Sequence, residues 1–104
     1  MFVAMNHFRI APGQEEAFEA LWLGRNSQLK EVPGFVAFHL LKGDAADDHR
    51  PYTSHSFWQS RDAFDGWTRS EAFRAAHAGA GDNRHLYLGP PRFEGYEVIQ
   101  KITA

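Results

Sequence analysis

The sequence predicts an α+β domain of the ferredoxin-like, split βαβ kind, with two copies pairing into a dimeric α+β barrel. Two observations predict the domain. Its apolar periodicity runs strand, helix, strand, then again strand, helix, strand, and its length of 104 residues suits one domain spanning residues 1–104. A third predicts the pairing: the strands look apolar on both faces, whereas a sheet of this kind carries helices on one face only. The bare face needs a cover, and a second sheet across a two-fold axis supplies it.

Residues 2–10 alternate as a strand, with Phe2, Ala4, Phe8 and Ile10 on one face and Val3, Met5, His7 and Arg9 on the other. Asn6 falls on the apolar face. A primary amide there either serves the fold through hydrogen bonds or waits in a pocket for a ligand, since each unsatisfied buried polar group costs about 1–3 kcal/mol. Pro12-Gly13 turns the chain into a helix over residues 14–29, whose stripe is Phe18, Leu21, Trp22 and Leu29. Arg25 interrupts that stripe. Either its stem lies along the core edge with the guanidinium in water, or the cation awaits a carboxylate that a ligand brings.

Pro33-Gly34 makes a second turn before residues 35–42, a nearly continuous apolar run that suits a strand covered on both faces. Residues 43–51 are polar and acidic, a surface loop, and residues 52–59 alternate as a third strand that pairs back as a hairpin. Ser60 and Ser70 each precede a helical pattern and can cap it, so two short helices are expected. Phe64 and Trp67 share a face of the first, and Phe73 and His77 share a face of the second, which Gly79 and Gly81 end. Residues 82–91, with Gly89-Pro90-Pro91, read as a mobile lid beside His77, and residues 92–102 as the last strand.

Composition narrows the function classes. The formal charge is −2, and no lysine or arginine run occurs, so nucleic acid is not an expected partner. No cysteine is present, which removes disulfides, thiolate nucleophiles and zinc-thiolate or iron–sulfur ligation, and fits a reducing cytoplasm. Neither a membrane span nor a leader segment is recognisable, so a soluble, unprocessed protein without membrane contact is expected. Six histidines invite a metal reading, but His39 and His55, expected on adjacent strands, have no third ligand at a completing spacing, and His7, His49 and His85 have no regular partner.

With Asn6 in the first strand, Trp67 in the Phe-x-x-Trp turn and His77 ending Ser-Glu-Ala-Phe-Arg-Ala-Ala-His, the whole chain resembles the antibiotic biosynthesis monooxygenase (ABM) family. Within that family it resembles the haem-degrading monooxygenases of the IsdG type. Phe2-Val3-Ala4-Met5-Asn6, Val32-Pro33-Gly34-Phe35 and Leu86-Tyr87-Leu88-Gly89 look closest to the proteobacterial, rhizobial haem oxygenases. The resemblance implies that haem is both substrate and cofactor, consumed with O2 and electrons from an external donor, a reductase yet to be identified. It implies that His77 is the axial ligand of the haem iron, that Asn6 hydrogen-bonds the distal oxygen species, and that Trp67 presses on the porphyrin so that it ruffles. Arg25 is then a candidate partner for a haem propionate, and Phe73 a candidate wall of the site. Two alternatives stand beside it: a cofactor-free quinol or polyketide monooxygenase of the same fold, which would not need His77, and a haem-binding protein that does not degrade haem, which would need His77 but not Asn6 and Trp67.

Overall fold

A computed structural model describes residues 1–25, 28–70, 73 and 80–104. Four strands, β1 (Phe2–Ile10), β2 (Phe35–Lys42), β3 (Arg50–Trp58) and β4 (Arg92–Glu97), form one antiparallel sheet in the order β2-β3-β1-β4. Helices α1 (Glu15–Leu23) and α2 (Arg61–Thr68) provide the two crossovers, which is the expected ferredoxin-like arrangement. No helix among the described residues is long and apolar enough to cross a membrane.

The turns obey local chemistry. Gly13 and Gly34 adopt φ +84° and +82°, which L side chains rarely adopt. Gly34 also lies so close to α2 that a Cβ would stand 2.4 Å from Ala63 Cβ, so this turn sets how tightly α2 packs. Ser60 is the predicted cap: its backbone is extended and its Oγ accepts from the Ala63 N–H at 3.1 Å. Ser70 Oγ accepts from the Phe73 N–H at 3.1 Å in the same manner, while the other residues expected in a second short helix, His77 and Gly79 among them, lie outside the described residues.

Three expected elements differ. The first helix ends at Gly24 and not at Leu29, because glycine costs about 1 kcal/mol relative to alanine inside a helix. Arg25 therefore follows the helix, and Leu29 belongs to a separate 3-10 turn, Leu29–Glu31. The last strand stops at Glu97; Val98 donates its N–H to Met1 O, and Ile99 and Ile102 stand in solvent. The segment expected as a mobile lid is a 3-10 stretch, Ala80–Leu86, whose end is tied to β1. Leu86 is buried, Tyr87 bridges to Ile10, and backbone bonds join Ala11 N–H to Leu86 O and Leu88 N–H to Arg9 O.

Both helices cover the same face of the sheet, and the core beneath them is divided in two. Phe8, Ile10, Phe18, Tyr52 and Leu86 form one cluster under α1. Phe2, Ala4, Leu29 and Trp58 form the other, with Phe64 and Trp67 of α2 against it. The division falls at one rung of the β1–β3 ladder. Phe2 opposes Trp58, Ala4 opposes Ser56, Asn6 opposes Ser54, and Phe8 opposes Tyr52, so the two polar residues at the third rung separate the apolar groups on either side.

Candidate functional site

A cavity of about 990 Å3 opens over that break, at the upper end of the roughly 300–1,000 Å3 usual for small-molecule sites. Its floor is the sheet, where Asn6 and Ser54 lie between Ala4 and Phe8. Two aromatic groups make its walls. In the first, Trp22 and Phe38 lie nearly parallel, at 7° and 6.1 Å between centroids. In the second, Trp67 meets Phe73 edge to face at 4.8 Å, and Phe64 stacks on Phe93 at 5.7 Å. Such contacts fix ring orientation and add about 0.5–1.5 kcal/mol per pair beyond area burial.

Trp67 is further wedged against buried Trp58, with centroids 5.5 Å apart, and against Phe64 at 6.3 Å. An indole packed on three sides meets a ligand as a rigid surface. Asn6 is partly buried, and among the described residues nothing hydrogen-bonds its side chain. Its donor and acceptor are thus available to whatever enters.

Arg25 lines the same cavity from the chain just past α1. Its guanidinium carbon stands 4.3 Å from the Trp22 ring centroid, a cation–π contact, and no carboxylate pairs with it among the described residues. Burial pushes its pKa down from the ordinary arginine value, the sign of a half-desolvated cation. None of the described lining residues is acidic. Of the sequence candidates, Asn6, Arg25, Trp67 and Phe73 are therefore brought together, and His77 lies outside the described residues.

Sequence reasoning missed Ser54, Phe38, Tyr87 and Phe93 as lining residues. The alternation of the third strand contained the signal for Ser54, since it places that residue on one face with Tyr52 and Trp58. The adjacency of His39 and His55 holds: they face each other across β2 and β3, 5.9 Å between ring centroids, on the sheet face away from the cavity.

Comparison with known proteins gives four findings. The antibiotic biosynthesis monooxygenase family model matches residues 1–79. A haem-degrading monooxygenase of Bacillus thuringiensis is 35% identical over 54 residues, 52% of this chain and 50% of that protein, so the chain spans about half the length of this curated relative. Among solved structures, the haem degrader MhuD of Mycobacterium tuberculosis, determined with two haems in its active site, superposes with a TM-score of 0.78 at 26% identity, covering 99% of this chain and 100% of that one. A Bacillus cereus protein described with the antibiotic biosynthesis monooxygenases superposes with a TM-score of 0.79 at 16% identity over 99% and 97% of the two chains, a likeness of fold. With three quarters of its length under one family model and the family's fold throughout, this chain belongs to the antibiotic biosynthesis monooxygenases.

Proposed function

We propose that this protein is a haem-degrading monooxygenase of the IsdG type, near the proteobacterial, rhizobial haem oxygenases, working in the cytoplasm. The observation that carries the reading is the cavity itself: about 990 Å3, walled by aromatic rings, with an amide in its floor, a half-buried arginine and no acid among its described lining residues. Those features fit a large, flat, apolar ligand that carries carboxylates at its edge. A small neutral quinol would leave much of the space and the Arg25 charge unused. The relatives described as haem degraders support the same assignment.

Bound haem, as substrate and cofactor together, would supply the oxygen chemistry, with O2 and electrons from a reductase, to give iron and an opened tetrapyrrole. The chain's own residues bind and orient. On the sequence pattern Ser-Glu-Ala-Phe-Arg-Ala-Ala-His, His77 would hold the haem iron through its imidazole. Arg25 offers charge-assisted bonds to a propionate. Trp67, fixed by Trp58, Phe64 and Phe73, presses a rigid surface on the macrocycle and excludes water. Asn6 offers a neutral donor on the floor, which holds a polar atom without a titratable proton to deliver to it. The working unit is a homodimer with one site per subunit, because the helices leave one face of the sheet bare.

The test is purified apo-protein plus haemin, given ascorbate or an enzymatic reductant in air. Loss of the Soret band with iron captured by a chelator is the expected result. A bound haem whose Soret band persists would make the protein a carrier. Failure to bind haemin, with oxidation of a quinol instead, would favour the cofactor-free alternative.

A further inference from the structure

The helix-facing residues of β3 include two serines whose hydroxyls are held very differently. Ser56 borders the cavity, but its Oγ accepts from Trp58 Nε1 at 3.0 Å and donates to Ala4 O at 3.3 Å, so its one proton is already committed to the core. Ser54 is 6% exposed, lines the cavity and opposes Asn6 in register. The hydroxyl borders the cavity with no protein partner among the described residues, so it is available to a group that enters.

We propose that Ser54 is a positioning residue of this site: its hydroxyl and the Asn6 amide form a two-point hydrogen-bonding seat for the small oxygen- or nitrogen-ended ligand that shares the cavity with the macrocycle. The inference rests on the haem reading. Directly opposed side chains on antiparallel strands have Cβ atoms about 4.5–5.5 Å apart. One ligand atom between them can therefore take a bond of ordinary length, about 2.7–3.2 Å, from each. Asn6 Nδ2 donates, and the Ser54 hydroxyl rotates to donate or accept, so the seat takes a neutral or an anionic atom. On the next rungs of β1 stand apolar Ala4 and Phe8, and the Ser56 hydroxyl opposite Ala4 is already bonded to Trp58 and Ala4. The floor thus selects where a small ligand sits, which one amide alone would leave open to rotation.

The test uses haemin-loaded wild type, Ser54→Ala, Ser54→Thr, Asn6→Ala and the double variant Asn6→Ala/Ser54→Ala, with Ser56→Ala as the control. Azide binding to the ferric complex and haemin affinity are measured for each. Ser54→Ala should weaken azide about three- to tenfold, the range of one ordinary hydrogen bond, with haemin affinity within about twofold of wild type. Ser54→Thr, which keeps the hydroxyl, should restore azide binding. Losses from Asn6 and Ser54 should be non-additive, since both groups hold one atom. Ser56→Ala should lower the melting temperature and leave azide affinity unchanged. Azide affinity unaltered in Ser54→Ala, or reduced equally in Ser56→Ala, would overturn the seat while leaving the haem reading intact. A wild type that gives no haem spectrum would end both.

Discussion

At the scale of single residues, binding and turnover should separate. Neither Asn6 nor Trp67 is needed to hold iron in the proposed site, so Asn6→Ala and Trp67→Ala should retain haem through His77 and apolar burial. Asn6→Ala loses an interaction worth roughly 0.5–1.5 kcal/mol in ordinary contacts and more where charge develops, so its single-turnover rate should fall much further than its affinity. Trp67→Ala removes a surface fixed by three neighbouring rings; degradation should slow while affinity holds. Equal falls in affinity and rate, in stopped-flow and titration measurements side by side, would contradict both roles. Arg25→Leu should weaken haem binding by about 1–3 kcal/mol, since the half-buried cation would lose a charge-assisted partner; an unchanged dissociation constant would leave Arg25 to its contact with Trp22 alone. Asn6 was legible in the sequence because an amide on an apolar face breaks the pattern. Ser54 carries a weaker form of the same signal, since serine on a face with Tyr52 and Trp58 marks a site only once its neighbour across the ladder is known.

At the scale of elements, the strands were legible and the ends of the connections were not. β1 and β2 occupy the expected residues because alternation or a continuous apolar run is a local signal. The stripe of α1 continued on paper past Gly24, yet glycine stops the helix and sends Leu29 into the other core cluster. Residues 82–91 looked loose from their glycine and prolines, but Leu86 fills the first cluster and residues 86–88 pair with β1, a long-range fact that composition does not carry. Leu86→Ala should therefore cost about 2–5 kcal/mol of stability in denaturant titration, as for a core position; less than about 1 kcal/mol would return this segment to the status of a surface lid. β3 carries a pH effect as well. His55 has its pKa lowered below the ordinary value of 6.5, first by burial and then by facing His39. A base that binds protons less readily when folded stabilises nothing above its unfolded pKa and penalises the fold as pH falls below it. Melting temperature should drop as pH is lowered from 7 through about 6 and 5, and His55→Gln should flatten part of that slope. A slope identical in both proteins would assign the effect elsewhere.

At the scale of the whole molecule, the unevenness of the sheet is the ground for the proposed dimer. One face carries both helices and the cavity. The other presents Val3, Met5, His55 and Phe57 towards its centre, with Leu41 at 46% and Tyr96 at 50% exposure near its edges. Polar groups on that face are already engaged with one another: His7 Nδ1 pairs with Thr53 Oγ1 at 2.9 Å, His7 Nε2 lies 2.6 Å from Glu94, and the Tyr96 hydroxyl donates to Glu94. The Tyr96 hydrogen bond first, then Arg92 and His7, hold the Glu94 carboxyl below the usual carboxylate range. A largely apolar face whose carboxylate, Glu94, is already engaged by His7 and Tyr96 loses little by burial, and a second copy across a two-fold axis would cover it with the same surface. Sedimentation equilibrium at micromolar concentration should therefore give the mass of a dimer. Leu41→Glu would set two carboxylates into such an interface while altering a side chain nearly half exposed in one chain. It should shift the equilibrium towards monomer with the melting transition of the isolated chain preserved. A wild type that sediments as a pure monomer would sink the dimer, and with it the barrel inferred from strands apolar on both faces.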